Sequence, residues 1–215
     1  MGQYHFFREL HKFATKNAKF KQNVLIETLH EKGEITQEQQ FVRKHGACAA
    51  LCCMWFRTKL MKYKAFNRSK GVRVDEEIAL PYAKIAVGVQ TLLHKGFKPE
   101  EWSQRNTDMY KAFGLSFEID GDRHNGAGNL AGKTASLLKY RPGVLMSADL
   151  KNGKSHAIGM AKVDGVTLFF DPNAGEYTVQ DVIGFLKAWI PAAGNAMGSK
   201  IAGGHRIGVK LLEDI

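Results

Sequence analysis

Apolar residues recur at helical spacing from the start of the chain: Phe6, Phe7, Leu10 and Phe13 fall on one face, and Val24, Leu25 and Leu29 continue a second segment. Gly33 interrupts the pattern, so residues 1–45 read as a helical stretch in two pieces. From Ala47 to about Lys62 the chain runs ACAALCCMWFRTKLMK, without a breaker and rich in Ala, Leu and Met. Apolar residues all round the turn predict a buried helix that begins near Gly46. Asp75 to His94 forms another predicted helix, interrupted at Pro81, and Pro99 opens a short third one at the permitted first-turn position.

The second half changes period. Leu115–Ile119 and Val144–Leu150 read as strands, with a helix around Leu130–Tyr140 between them. Ser155–Val163 and Val166–Asp171 flank Asp164-Gly165, the strongest short hairpin signal a sequence offers. Thr178–Ile190 reads as a helix with Thr178 as N-cap and Asp181 three positions on, and Arg206–Leu212 closes as a strand. A helical half followed by a mostly antiparallel sheet is an α+β architecture, and no linker separates two domains. The expectation is a single domain over 1–215 with residues 1–45 as a helical, basic extension.

The hairpin turn fixes a register. With Asp164-Gly165 as the two central residues, Val163 pairs with Val166, and His156, Ile158, Met160, Phe169, Asp171 and Asn173 share one face. Asp171 then lies diagonally across from His156, within side-chain reach. A carboxylate there can hold one imidazole nitrogen and leave the other for a nucleophile. The opposite face, Ala157, Gly159, Ala161, Val163, Val166, Leu168 and Phe170, is core. Neither face suits open water, which puts this hairpin in the middle of the sheet.

A nucleophile is available at the start of the buried helix. Cys48 follows Gly46-Ala47, where unpaired N–H groups and the helix dipole stabilise a thiolate. Cys52 and Cys53 lie a turn deeper and read as small core residues. Three cysteines clustered within one element cannot staple a fold, which points to a reducing compartment. Cys48, His156 and Asp171, 108 and then 15 positions apart, make up a set suited to attack on an acyl carbon.

Here the sequence resembles a known family. Gly46-Ala47-Cys48-Ala49-Ala50-Leu51 with Trp55, then Ser155-His156-Ala157-Ile158-Gly159-Met160, then Phe169-Phe170-Asp171-Pro172-Asn173-Ala174-Gly175-Glu176, is similar to the YopT-type cysteine proteases. These are papain-like effectors that bacteria inject into host cells. The resemblance implies a papain-like fold, with a nucleophile helix packed on a C-terminal antiparallel sheet. It also implies Cys48 as nucleophile, His156 as base and acid, and Asp171 as its orienting partner. Members cut host proteins, including prenylated small GTPases and kinases, so the implied partner is a protein substrate of that kind. Export through a secretion apparatus, to act in the target-cell cytoplasm, is implied as well. The N-terminus agrees, since MGQYHFFRELHKF has no apolar signal region and Phe6 stands where a myristoylation motif needs Ser or Thr. The second oxyanion donor is left open among Gln39, Gln40, Arg43 and His45, because Arg43 and Val42 occupy the positions five and six before Cys48.

Charge adds one further expectation. Residues 1–74 hold 15 Lys and Arg against 5 Glu, and the remainder is balanced, so the whole excess of +10 lies in the first third. Its densest part, Arg57, Lys59, Lys62, Lys64, Arg68, Lys70 and Arg73, suits contact with an anionic membrane through residues 57–73, or else a solvated surface. No specific nucleic-acid binding is expected. Neither cofactor nor metal is expected either. Gly128 to Gly132 has three intervening residues where a phosphate loop needs four, and His45, Cys48 and Cys52 lack a second ligand pair for zinc. The same three groups also serve transglutaminases, deamidases and cell-wall amidases, and an adaptor with a vestigial site is a non-enzymatic alternative.

Overall fold

The computed structural model describes residues 9–42, 46–61, 83–92, 102–119, 124–125 and 127–212. In chain order the elements are β1 (Ala14–Ala18), α1 (Gln22–Glu31), α2 (Cys48–Leu60), α3 (83–92) and α4 (Trp102–Ala112). They continue as β2 (Leu115–Ile119), β3 (His124–Asn125), α5 (Ala127–Leu137), β4 (Gly143–Leu150), β5 (Ser155–Val163), β6 (Val166–Asp171), β7 (Gly175–Val179), α6 (Val182–Ala196) and β8 (Ile201–Leu211). The strands form one antiparallel sheet in the order β1-β7-β6-β5-β4-β8-β2, with β3 paired to β8. The α+β reading of the sequence is correct. Among the described residues, no helix is long and apolar enough to cross a membrane.

The hairpin register holds as read. Asp164 and Gly165 take φ of 49° and 81°, the paired left-handed values of a type I′ turn, and Val163 faces Val166. Paired positions run to Gly159 and Phe170, where the β5–β6 ladder ends. Both faces are covered. Ala157, Ala161 and Phe170 join Trp55 and Phe56 of α2 in one core, while Ile158, Met160 and Phe169 join Phe185, Leu186 and Trp189 of α6 in the other.

Three expectations are corrected. Residues 14–18 are a strand rather than part of a helix, because they add to the edge of β7, with Ala14 opposite Val179 and Lys16 opposite Tyr177. Tertiary pairing decides the state of a segment whose spacing alone favoured a helix. Thr178 is not a helix cap: it lies in β7, opposite Leu168, and Asp181 caps α6 by accepting the Gly184 N–H at 3.0 Å. The alternation of Glu176, Tyr177, Thr178 and Val179 was a strand signal overridden by the capping pattern. Finally β8 begins at Ile201, well before Arg206. The expected helix over 75–94 is seen over 83–92, and its earlier part and Pro99 lie outside the described residues.

Close approach of α2 to β5 depends on glycine. A Cβ at Gly159 would stand 2.9 Å from Trp55 Cζ3 and 3.1 Å from Phe56 Cζ, both fixed in the core. Trp55 in turn stacks on Phe170, with ring centroids 5.5 Å apart and planes 14° from parallel. Gly159→Ala is therefore expected to cost about 1–3 kcal/mol by overpacking. Urea unfolding checks this, and an unchanged midpoint would mean that the indole is not seated against β5.

Candidate active site

Cys48 is the first residue of α2, reached through Gly46 at φ 77° and the N-cap Ala47. Three N–H groups at this helix start have acceptors. The Ala47 N–H donates to Gln22 Oε1 at 3.0 Å, and the Ala50 N–H donates to Gln90 Oε1 of α3 at 3.2 Å. The Ala49 N–H is directed at the Cys48 sulfur. No hydrogen bond from the Cys48 N–H is seen among the described residues.

The end of the β5–β6 ladder brings the other two residues to this thiol. Past Gly159 the edge of β5 no longer pairs with β6, so the backbone of Ala157 turns to α2 instead. Its N–H donates to Cys48 Sγ at 3.4 Å, and its carbonyl accepts from Cys52 Sγ at 3.5 Å. Its neighbour His156 is 4% exposed and donates from Nε2 to Asp171 Oδ1 at 2.8 Å. The other ring nitrogen, Nδ1, is thereby left for the thiol. Asp171 also accepts from the Asn173 N–H on Oδ1 at 2.8 Å and from Trp189 Nε1 on Oδ2 at 3.2 Å.

The electrostatics favour an ion pair. Burial pushes the Cys48 thiol up, but the hydrogen bond and charge of His156, with the N–H groups of Ala157 and Ala49, outweigh it and leave the thiol below its ordinary value. Burial pushes His156 down, and the charge and hydrogen bond of Asp171, followed by those of Cys48, outweigh it and hold the ring well above its ordinary value. Cys52 and Cys53 go the other way. Both are fully buried, and desolvation raises their thiols.

Sequence reasoning missed part of the surroundings. Trp189 lies in the core and is also a donor to the carboxylate. Trp55 similarly donates to the buried Glu176 Oε2 at 2.7 Å, which Lys59 meets at 2.8 Å and whose Oε1 accepts from Asn17 at 3.2 Å. Lys59 is thus paired with a buried carboxylate, and residues 62–73 lie outside the described residues. Of the oxyanion candidates, Gln39 accepts from the Thr36 N–H and Gln40 bonds His30. Arg43 and His45 lie outside the described residues. Gln22 and Gln90 carry no signal in their spacing from Cys48.

A thiol heading a buried helix, set against a His–carboxylate pair on neighbouring strands of an antiparallel sheet, is the layout of a cysteine protease-like fold. Two solved structures are similar to this chain. The Pseudomonas avirulence protein AvrPphB is similar to this chain with a TM-score of 0.59 at 17% identity, over 77% of this chain and 92% of that one. PatoxP, a cysteine protease-like domain of the Photorhabdus asymbiotica toxin PaTox, matches with a TM-score of 0.46 at 12% identity, over 95% of this chain and 57% of that one. By sequence, no family model matches the chain and no curated protein is similar to it. The likeness to AvrPphB is one of fold, and it agrees with the fold that the three motif blocks imply.

Iodoacetamide should alkylate Cys48 rapidly below the ordinary thiol range and leave Cys52 and Cys53 untouched in the folded protein, as mapped by peptide mass spectrometry. Removing the imidazolium removes what stabilises the thiolate, so His156→Ala should move the Cys48 profile to higher pH. A profile that stays put would show that the ring does not hold the thiolate.

Proposed function

We propose that the chain is a papain-like cysteine protease whose nucleophile is Cys48, with His156 as general base and acid and Asp171 as the residue that orients it. The observation that carries this reading is the position of Cys48 Sγ. It accepts an N–H from the residue beside His156, while His156 is locked to a carboxylate through its far nitrogen. A thiolate attacks a peptide carbonyl carbon, and the negative charge that moves to the oxygen is met by the Cys48 N–H. The C–N bond then breaks as His156 gives its proton to the leaving amine, which leaves a thioester on Cys48. Water attacks that thioester, His156 takes its proton, and the carboxylic acid and free thiolate are released. Water is the only co-reactant.

The carboxylate acts through the ring. Asp171 holds His156 by Nε2, so Nδ1 faces the sulfur in both proton-transfer steps, and the charge favours the imidazolium form. The resemblance of the motif blocks to the YopT-type proteases, and the fold shared with an avirulence protein, support a secreted effector that cleaves a protein of the cell it enters. A host small GTPase or kinase is the substrate class which that resemblance favours.

Lysate of candidate host cells, treated with wild type or with Cys48→Ala and then mapped for new protein N-termini, tests the reading. New termini are expected with wild type alone, while Cys48→Ala keeps its fold by circular dichroism. Loss of activity in Cys52→Ala with Cys48→Ala still active would overturn the assignment of the nucleophile. A side-chain mass change without any new terminus would make the chain a deamidase or transglutaminase instead.

A further inference from the structure

Gln22, only 7% exposed at the first position of α1, makes three hydrogen bonds to the two loops that carry the site, two through its side chain and one through its backbone. Its Oε1 accepts the N–H of Ala47, the N-cap of the nucleophile helix, at 3.0 Å. Its Nε2 donates to Asn173 Oδ1 at 2.7 Å, and its backbone N–H donates to the Pro172 carbonyl at 2.7 Å. Asn173 in turn donates its own N–H to Asp171 Oδ1, the same oxygen that His156 grips. The contacts run from Ala47, beside Cys48, through Gln22, Asn173 and Asp171 to His156, and the N–H of its neighbour Ala157 returns to the Cys48 sulfur at 3.4 Å.

The chemistry of that position selects a carboxamide. One end must accept a backbone N–H and the other must donate to an amide oxygen, and a neutral side chain of this length with both is glutamine. A carboxylate would lose the donor and set a negative charge beside the thiolate. Space is matched as well, since a Cβ on Gly46 would stand 3.0 Å from Gln22 Oε1. Gly46 has to be a glycine both for its left-handed φ of 77° and for this close approach.

We propose that Gln22 is a positioning residue for the reactive pair: its carboxamide ties the start of the nucleophile helix to the loop that holds the carboxylate, and so fixes the Cys48 sulfur in register with the His156 ring. Residues 14–22 are then part of the catalytic unit rather than an extension to it, because β1 and its link to α1 deliver this side chain. The proposal rests on the functional reading above for its consequences in catalysis, but the contact it concerns is measurable without any substrate.

Alkylation of Cys48 by iodoacetamide, followed across pH in Gln22→Ala, Gln22→Glu, Asn173→Ala and the Gln22→Ala/Asn173→Ala double variant, provides the test. Each single variant is expected to move the Cys48 midpoint up by about one pH unit, which is a tenfold loss of thiolate at a pH below both midpoints. Gln22→Glu should move it furthest. The double variant should match Gln22→Ala, because both changes cut the same link. Asn173 is exposed, so Asn173→Ala carries the test if Gln22→Ala does not fold. A wild-type profile in either Gln22→Ala or Asn173→Ala, with only the melting temperature lowered, would overturn the proposal and leave Gln22 a structural brace. Shifted profiles combined with no cleavage of any lysate protein would sink the protease reading and leave this one standing.

Discussion

The imidazole of His156 is nearly sealed from water, with a carboxylate on one nitrogen and a sulfur beside the other. Burying a charge costs on the order of several kcal/mol per ion even after the protein relaxes, so a group of three is tolerable only where each member has partners. The partners are on hand. Asp171 takes hydrogen bonds from His156, Asn173 and Trp189, and the Cys48 sulfur takes one from Ala157. Those donors are what turn desolvation from a force against ionisation into one that sharpens the attraction between thiolate and imidazolium.

The sheet supplies them by stopping early. Had β6 stayed paired with β5 to its end, the N–H and carbonyl of Ala157 would have faced another strand. They face two sulfurs of α2 instead, because the ladder ends at Gly159 and Phe170 and the helix start fills the gap. The helix is held at that depth by Gly159, which admits the Trp55 ring, and by Glu176, which anchors Trp55 and Lys59 from β7. The two carboxylates of one motif block, Asp171 and Glu176, therefore serve two elements: one orients the ring, and the other seats the helix that brings the thiol to it.

Much of this was legible in the residues. Asp164-Gly165 has one good backbone solution, and from it the register, the shared face of His156 and Asp171 and the central place of β5 follow by alternation alone. Apolar residues all round α2 announced its burial, and the depth of Cys52 and Cys53 within it separated them from Cys48. The strand over 14–18 was not legible, because ATKNA gains its state from the free edge of β7 and not from its own pattern. The same holds for Thr178, where a local capping pattern competed with pairing on two sides.

Local order along the chain thus determined which residues share a strand face and which begin a helix: period-two alternation and helix periodicity are set by backbone geometry and need no distant partner. What surrounds the reactive atoms was decided in three dimensions. Gln22, Gln90, Trp189 and Asn17 come to the site or its supports from separate elements, and no spacing rule links them, since hydrogen bonds between distant segments depend on how whole elements pack. Periodicity and turn chemistry placed the sulfur, the ring and the carboxylate, and packing chose the donors that surround them.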